Sequence, residues 1–279
     1  MPERRQEPLR FGIFAEGSRS PRGARVDYFE QIWRELLPRL VGRPAPAHVF
    51  PIDKASIEAM NPASPKSTGR GEALDDRVRR ELLKTPFDCV IVAWDLHPSL
   101  ASAMTPPQCR WNETLRLYEG LAREGSMLPP EWLKSARAKL QELQARAVPS
   151  ARGAPPRLER HGIYALCMAP EFEGLLTRSE ANVRAALGAA ELRIKDWPSW
   201  RADPQGREAK ELLNRAINTL RALPKNKQPK VFAQINGDMK NAHHEWAARI
   251  LKVATEDSQR QAALSEHPIA ARLTELLPR

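Results

Sequence analysis

The sequence contains a continuous apolar run that ends on an acid, within Phe87-Asp88-Cys89-Val90-Ile91-Val92-Ala93-Trp94-Asp95-Leu96-His97-Pro98. A continuous run rich in valine and isoleucine, yet too short to span a membrane, is typical of a strand buried on both faces of a parallel sheet. Asp95 then stands at the carboxyl end of this strand. Because the carboxyl ends of the strands form the ligand crevice in an open α/β sheet, an acid at this position favours a functional role.

Three other apolar runs are predicted to form strands beside this one. We expect an α/β fold whose sheet has four mainly parallel strands with helices on both faces. The predicted strands are residues 9–15, 48–52, 88–94 and 162–168. The first strand leads directly to Glu16, and the segment after the last strand contains Glu173. We therefore expect Glu16 and Asp95 on the same edge of the sheet.

The last third of the chain is predicted to be helical, because apolar side chains such as Leu213, Ile217 and Leu220 recur there at helical spacing. Only residues 231–235 carry a strand-like pattern in this tail. The predicted units are a core over residues 1–195, with a helical insertion at about residues 126–158, and a helical C-terminal subdomain over residues 196–279.

The composition describes a basic protein. Lysine and arginine outnumber aspartate and glutamate by 44 to 34, a formal net charge of +10, which favours a polyanionic partner such as nucleic acid. A merely solvated basic surface stays the alternative. No stretch approaches the roughly 20 apolar residues of a transmembrane helix, so no membrane partner is expected. The three cysteines lack metal-ligand spacing, and a reduced cytoplasm is the expected location.

Carboxylates at the ends of adjacent strands raise the pKa of one another unless a divalent cation or a basic residue neutralises them. Mg²⁺ suits such a site, because it takes oxygen ligands and works together with substrate phosphates. In a basic protein this arrangement favours phosphodiester chemistry. The alternative is that Glu16 and Asp95 are ordinary strand-end acids that cap helices. The spacing alone leaves both open.

The other candidate motifs of the sequence are weaker indicators of a functional site. The triplet His243-His244-Glu245 lacks the i, i+4 histidine pair of a helical metal site, and we interpret it as a solvated helix segment. Trp197, Trp200 and Trp246 are interpreted as core residues rather than as base-stacking platforms. No phosphate-binding P-loop occurs, so any ATPase activity would come from a partner.

Three segments carry a family resemblance. They are the strand that ends in Glu16-Gly17, the strand that ends in Asp95 with His97-Pro98 after it, and the run Met168-Ala169-Pro170-Glu171-Phe172-Glu173-Gly174-Leu175-Leu176. Together they resemble the stand-alone TOPRIM-like proteins, and within them a bacterial family often encoded beside ATPases in defence islands. The resemblance implies a TOPRIM-like, mainly parallel sheet flanked by helices, followed by a helical C-terminal subdomain.

The resemblance also implies roles for individual residues. Glu16 takes the role of general acid/base or metal ligand, Asp95 that of the first metal-binding acid, and Glu173 that of the glutamate in the third segment. His97 stands where the family pattern has a second aspartate. Imidazole ligates Mn²⁺ or Zn²⁺ but is a poor ligand for Mg²⁺, so either the metal preference has shifted or the site is degenerate.

Two functional hypotheses result. The first is a TOPRIM-type nuclease that depends on Mg²⁺ or Mn²⁺ and cleaves DNA or RNA, as the effector of an anti-phage defence system with a separate ABC- or SMC-like ATPase. The second is a non-catalytic subunit with a degenerate TOPRIM site that binds nucleic acid or the ATPase. The sequence leaves the substrate polymer and the oligomeric state, including a homo-oligomer, open.

Overall fold

The computed structural model describes residues 9–20, 25–44, 48–62, 71–95, 111–145, 162–168, 171–200 and 208–279. The strands are β1 (Phe11–Glu16), β2 (His48–Ile52), β3 (Cys89–Asp95) and β4 (Gly162–Met168). The helices before β4 are α1 (Tyr28–Gln31), a π-helical turn (Ile32–Leu36), α2 (Leu37–Leu40), α3 (Lys54–Ala59), α4 (Leu74–Lys84), α5 (Trp111–Leu121) and α6 (Pro130–Ala145). The helices after β4 are α7 (Glu173–Leu176), α8 (Glu180–Ala186), α9 (Ala209–Arg221), α10 (His243–Thr255), α11 (Ser258–Ser265) and α12 (Pro268–Leu276).

The four strands form one sheet in the order β2-β1-β3-β4, and every neighbouring pair is parallel. This confirms the predicted α/β class and the parallel sheet. β1 and β3 begin one or two residues later than predicted. Just before β3, the carboxylate of Asp88 accepts a hydrogen bond from the backbone N–H of Arg10 at 2.8 Å, and the backbone N–H of Asp88 donates to the carbonyl of Arg10 at 2.9 Å.

The sheet is covered by helices on both faces, which explains the continuous apolar run of β3. Cys89, Ile91 and Ala93 pack against α1, α2 and the helices after β4. The alternate residues of β3 pack against α3 to α6. Because side chains alternate across a strand, only a strand buried on both faces needs an apolar residue at every position.

The helix after β1 contains a wide turn whose residues line the cleft described below. Asp27 caps its start, and the Asp27 side chain accepts a hydrogen bond from the backbone N–H of Glu30 at 3.2 Å. The π-helical turn Ile32–Leu36 follows. Pro38 lies just beyond this turn and has no N–H to donate to the carbonyl of Arg34, which favours the wider local winding.

The described residues of the predicted tail, 196–200 and 208–279, contain no strand, and residues 208–279 are mainly helical. In the strand-like run at residues 231–235, residues 231–233 instead belong to the 3-10 turn Lys230–Ala233. Trp246 is fully buried in the core that covers the β1 and β3 face, and its indole N–H donates to the carbonyl of Gly237 at 2.8 Å. The interpretation of Trp246 as a core residue is confirmed. Across the described ranges, no helix is both long and apolar enough to cross a lipid bilayer.

Candidate functional site: an acidic cleft at the carboxyl edge of the sheet

Two of the predicted site residues lie side by side at the carboxyl ends of the two central strands. Glu16 is the last residue of β1 and Asp95 is the last residue of β3, and these strands are parallel neighbours. The backbone N–H of Asp95 donates to Oε2 of Glu16 at 3.2 Å. The structure therefore places both residues on the same edge, as the sequence predicted.

The third predicted acid joins them from the segment after β4. Glu173 opens α7, and only 4% of it is exposed. The preceding residue, Phe172, donates its backbone N–H to Oδ1 of Asp95 at 2.9 Å. Glu16, Asp95 and Glu173 thus line one cleft with a volume of about 410 Å³. His97 lies outside the described residues, so its role as a metal ligand stays a prediction.

The environment of Asp95 disfavours its charged form. Burial raises the pKa of Asp95 well above its ordinary value, and the neighbouring carboxylates of Glu173 and Glu16 raise it further. The hydrogen bond from the Phe172 N–H acts in the opposite direction but is outweighed. A proton or a bound cation is therefore stabilised at Asp95.

Glu173 has the opposite shift, although it is buried. Burial alone would raise the pKa of Glu173, but His243 and Lys210 lower it below the ordinary value. His243 Nε2 lies 3.1 Å from Oε1 of Glu173, and Lys210 Nζ lies 3.8 Å from the same oxygen. Two neighbouring carboxyl groups whose pKa values are pushed apart are a common arrangement for a proton donor and a proton acceptor.

His243 and His244 belong to this cleft, and the interpretation of their triplet as a solvated segment was wrong. They form the first turn of α10, which begins beside Glu173. His243 Nδ1 lies 3.2 Å from Nδ1 of His244, and His244 Nε2 accepts the backbone N–H of Ser18 at 3.4 Å. Burial, and then the proximity of His243, lowers the pKa of His244 to about 4. No spacing rule reveals this placement, because the contacts join the two ends of the chain.

A glycine lets β1 approach this histidine pair. Gly17 has φ of +147°, a region that L side chains rarely adopt. A Cβ at this position would lie 2.8 Å from the ring of Phe29 and 3.2 Å from Cε1 of His244. The N–H of Gly17 meanwhile donates to the carbonyl of Ile52 at 3.0 Å. Gly17 therefore turns the chain where a larger residue would push the His244 ring away.

Cations and aromatic rings complete the cleft. Lys54, Lys210 and Lys240 line it together with the carboxylates. The π-helical turn contributes Trp33, whose ring stacks on Phe172 with 6.1 Å between the ring centroids. The cleft thus combines acids that can bind a metal or move protons with lysines that can contact an anionic group.

The donor set fits a hard divalent cation. Among the residues that the structure describes, no three Asp, Glu, His or Cys side chains are grouped closely enough to form a ready-made metal site. Mg²⁺ is nevertheless commonly held by one or two carboxylates, with water and substrate phosphates as the other ligands. Glu16 and Asp95 meet this requirement, and a cation would offset the repulsion that raises the pKa of Asp95.

Fold and site together define an α/β protein with an acidic cleft at the carboxyl edge of a parallel sheet. Comparison with protein-family models, with curated proteins and with solved structures finds no match. The resemblance to TOPRIM-like proteins therefore rests on the short motifs of the chain itself.

Proposed function

We propose that the protein is a metal-dependent nuclease of TOPRIM type that hydrolyses phosphodiester bonds in the acidic cleft. The observation that carries the proposal is the convergence of Glu16, Asp95 and Glu173 in one cleft that lysines also line. Glu16 and Asp95 end two strands, and Glu173 follows a third. Carboxylates supply ligands for Mg²⁺ or Mn²⁺, and lysines supply contacts for phosphate.

The environment of each cleft residue suits it to a different role in the proposed reaction. Glu16 and Asp95 would hold the cation, which when bound activates water and stabilises the leaving oxygen of a phosphodiester. Glu173, whose pKa is lowered by His243 and Lys210, would stay ionised and could accept a hydrogen bond that orients the attacking water. Under the family resemblance Glu173 is instead a third metal ligand. Lys240, which lines the cleft, would contact the substrate.

Nucleic acid is the proposed substrate because the chain is basic and the cleft contains cations. The net charge of +10 favours binding to a polyanion before any sequence-specific contact is made. The anti-phage role and the separate ABC- or SMC-like ATPase rest on the family resemblance alone. They are proposed as the setting in which the nuclease acts.

A second candidate is a non-catalytic subunit that binds nucleic acid or the ATPase. Two observations favour it: the described residues contain no ready-made three-ligand metal site, and position 97 is histidine where the family pattern has aspartate. Under this hypothesis the cleft would bind its partner without cleaving it.

A substrate panel separates the two candidates. The purified protein, Asp95→Ala and His97→Asp are each incubated with single-stranded DNA, duplex DNA, bulk RNA and tRNA, with Mg²⁺ or Mn²⁺. If the protein is a nuclease, the parent should cleave at least one substrate, and Asp95→Ala should bind nucleic acid without cleaving it. His97→Asp should then be more active with Mg²⁺ than the parent. Binding without cleavage by the parent under every condition supports the second candidate. Cleavage by Asp95→Ala at the parental rate contradicts the proposed site.

A further inference from the structure

The greater part of α9 and the turns that follow it carry cations and no acid. Between Glu211 and Asp238 the sequence has no aspartate or glutamate, whereas it has five basic residues: Arg215, Arg221, Lys225, Lys227 and Lys230. The three lysines are exposed, in the consecutive 3-10 turns Lys225–Lys227 and Lys230–Ala233, and we call them the lysine segment. Among the described residues, no carboxylate forms an ion pair with any of these three lysines.

The end of α9 holds the lysine segment in place. The side-chain amide Nε2 of Gln228 donates to the carbonyls of Arg221 and Leu223 at 2.7 and 2.8 Å, which satisfies acceptors at the helix end. Pro224 and Pro229 precede the two 3-10 turns and restrict the backbone there. The lysines are therefore presented on an ordered backbone, and less conformational entropy is lost when they bind a ligand.

α9 joins the lysine segment to the acidic cleft. Lys210, in the first turn of α9, lines the cleft, and its Nζ lies 3.8 Å from Oε1 of Glu173. From Lys210 to Arg221 the helix rises about 17 Å, at about 1.5 Å per residue. The chain then returns along α9 to the cleft, which Met239 lines, and the backbone N–H of Met239 donates to Oδ1 of Asn214 at 2.9 Å. The lysine segment thus lies about one helix length from the carboxylates.

The exposed face of α9 runs from the cleft to the lysine segment. The opposite face of the helix is buried in the core that covers the β1 and β3 side of the sheet. Lys210, Arg215 and Asn218 are exposed along the outer face. Glu211 is the one acid of the helix, and Arg215 forms an ion pair with Glu208 at 3.7 Å. Because no acid follows in the rest of the helix, this face becomes more basic toward the lysine segment.

The acidic cleft by itself has little net positive charge with which to attract a polyanion. Four carboxyl side chains and three lysines line it: Glu16, Asp53, Asp95, Glu173, Lys54, Lys210 and Lys240. The net charge of +10 therefore arises mainly from cations outside the cleft. We propose that the lysine segment binds the sugar–phosphate backbone of a nucleic-acid strand, which runs along the exposed face of α9 to the cleft.

The length of α9 sets how much of the strand lies between the two sites. About 17 Å corresponds to about five nucleotides at the rise of about 3.4 Å per nucleotide in one strand of B-DNA. Contacts with phosphate position a strand without reading its sequence, so the lysine segment binds different sequences equally. That the strand continues into the cleft for cleavage rests on the proposed nuclease function, whereas the contact with the lysine segment does not.

Binding is measured on the full chain in chelator, so that no metal-dependent cleavage occurs, with a fluorescent single strand of about 16 nucleotides. Lys225→Gln/Lys227→Gln removes two charges from the lysine segment. The control Lys134→Gln/Arg137→Gln removes two exposed charges from α6, which covers the other face of the sheet. We expect the first variant to bind about tenfold more weakly at low salt, with a slope of log affinity against log salt that is less steep by about 1.4. The control should keep the parental values, and equal binding by the two variants overturns the proposal.

A charge-conserving variant separates charge from packing. Lys225→Arg/Lys227→Arg keeps both cations and should bind as the parent does, whereas an equal loss in the Arg and Gln variants overturns a phosphate contact. With Mn²⁺ or Mg²⁺, kcat/KM for the strand should fall about tenfold in the Gln variant, because the lost contacts contribute to binding. A parental kcat/KM overturns the path from the lysine segment to the cleft. If the parent cleaves no strand, the proposed function fails, and the binding data in chelator still decide whether the lysine segment holds nucleic acid.

Discussion

The backbone N–H of Asp95 donates a hydrogen bond to Oε2 of Glu16 at 3.2 Å, between residues 79 positions apart in the chain. This contact places two acids at the carboxyl ends of the two central strands. Asp95 in turn accepts the N–H of Phe172, the residue before Glu173. The acidic cleft is therefore part of the sheet architecture, and substitutions in it should affect stability as well as activity.

Asp95→Asn should stabilise the cation-free protein increasingly as the pH rises. The pKa of Asp95 is raised by burial and by the neighbouring carboxylates, so its contribution to stability is fully present below the ordinary aspartate pKa and is lost as the pH rises through the raised value. Asparagine has no such loss, and its oxygen can still accept the Phe172 N–H. Urea unfolding of both proteins from pH 5 to 8 in chelator measures the difference. A difference in the free energy of unfolding that shrinks with rising pH contradicts this environment for Asp95.

Gly17→Ala should destabilise the fold by about 2 to 4 kcal/mol, since the residue adds backbone strain to a clash with Phe29. Gly42→Ala is the matched control. Gly42 also has a positive φ, +62°, but no atom lies within 4 Å of an added Cβ. Gly42→Ala should therefore lower the free energy of unfolding by only about 1 kcal/mol. Thermal and denaturant unfolding provide the comparison. Equal losses in the two variants would show that crowding at Gly17 is unimportant.

His267 should make the protein lose stability under mildly acidic conditions. It caps α12, where its Nδ1 accepts the N–H of Ile269 at 3.2 Å. Burial, and then the charge of Arg178, lowers the pKa of His267 to about 4. A lowered histidine pKa stabilises the fold above the unfolded-state value and loses this contribution as the pH falls toward the folded-state value, a change of about 3 kcal/mol.

The variant His267→Asn keeps a capping side chain but removes this titration. The parent should therefore lose stability relative to His267→Asn as the pH falls from about 6.5, the unfolded-state pKa of histidine, to about 4, the pKa of His267 in the folded protein. Denaturant unfolding at several pH values tests this. A difference that does not change with pH would refute the buried state of the His267 ring.

Lys240→Ala should weaken binding of a short fluorescent DNA or RNA strand several-fold at low salt, because Lys240 lines the cleft. If it contacts one phosphate, the slope of log affinity against log salt should become less steep by about 0.7. Lys252→Ala, in the last turn of α10, removes an equal charge far along the helix from the histidines at its start and serves as the control. Equal binding by the two variants would place the nucleic acid elsewhere.

The sheet could be predicted from the sequence because its strands are continuous apolar runs. Burial on both faces of β3 demands an apolar residue at every position, and the flanking prolines and acids mark its ends. The adjacency of Glu16 and Asp95 followed from the parallel direction of the strands. β3 begins one residue later than predicted, at Cys89, because an apolar pattern does not fix the exact end of a strand.

The histidines of the cleft could not be predicted, because their partners come from distant parts of the chain. His243 and His244 open a helix near the end of the sequence, whereas Ser18 follows the first strand. From the sequence alone, two polar residues at the start of a helix indicate a solvent-exposed turn, because nothing in the sequence shows that the turn packs against an acid. The strand-like pattern at residues 231–235 likewise does not correspond to a strand, because residues 231–233 belong to the 3-10 turn after Pro229, in which Val231 is buried.

The most direct test of the acidic cleft is cation binding, which requires no knowledge of the substrate. Calorimetric titration of Mn²⁺ compares the parent with Asp95→Asn and with Asp88→Asn. Asp88 is the control, because it precedes the opposite end of β3 and contacts Arg10. We expect the parent and Asp88→Asn to bind Mn²⁺ with equal affinity and Asp95→Asn to bind it at least about tenfold more weakly. Equal binding by all three proteins, or no binding by the parent, would contradict it.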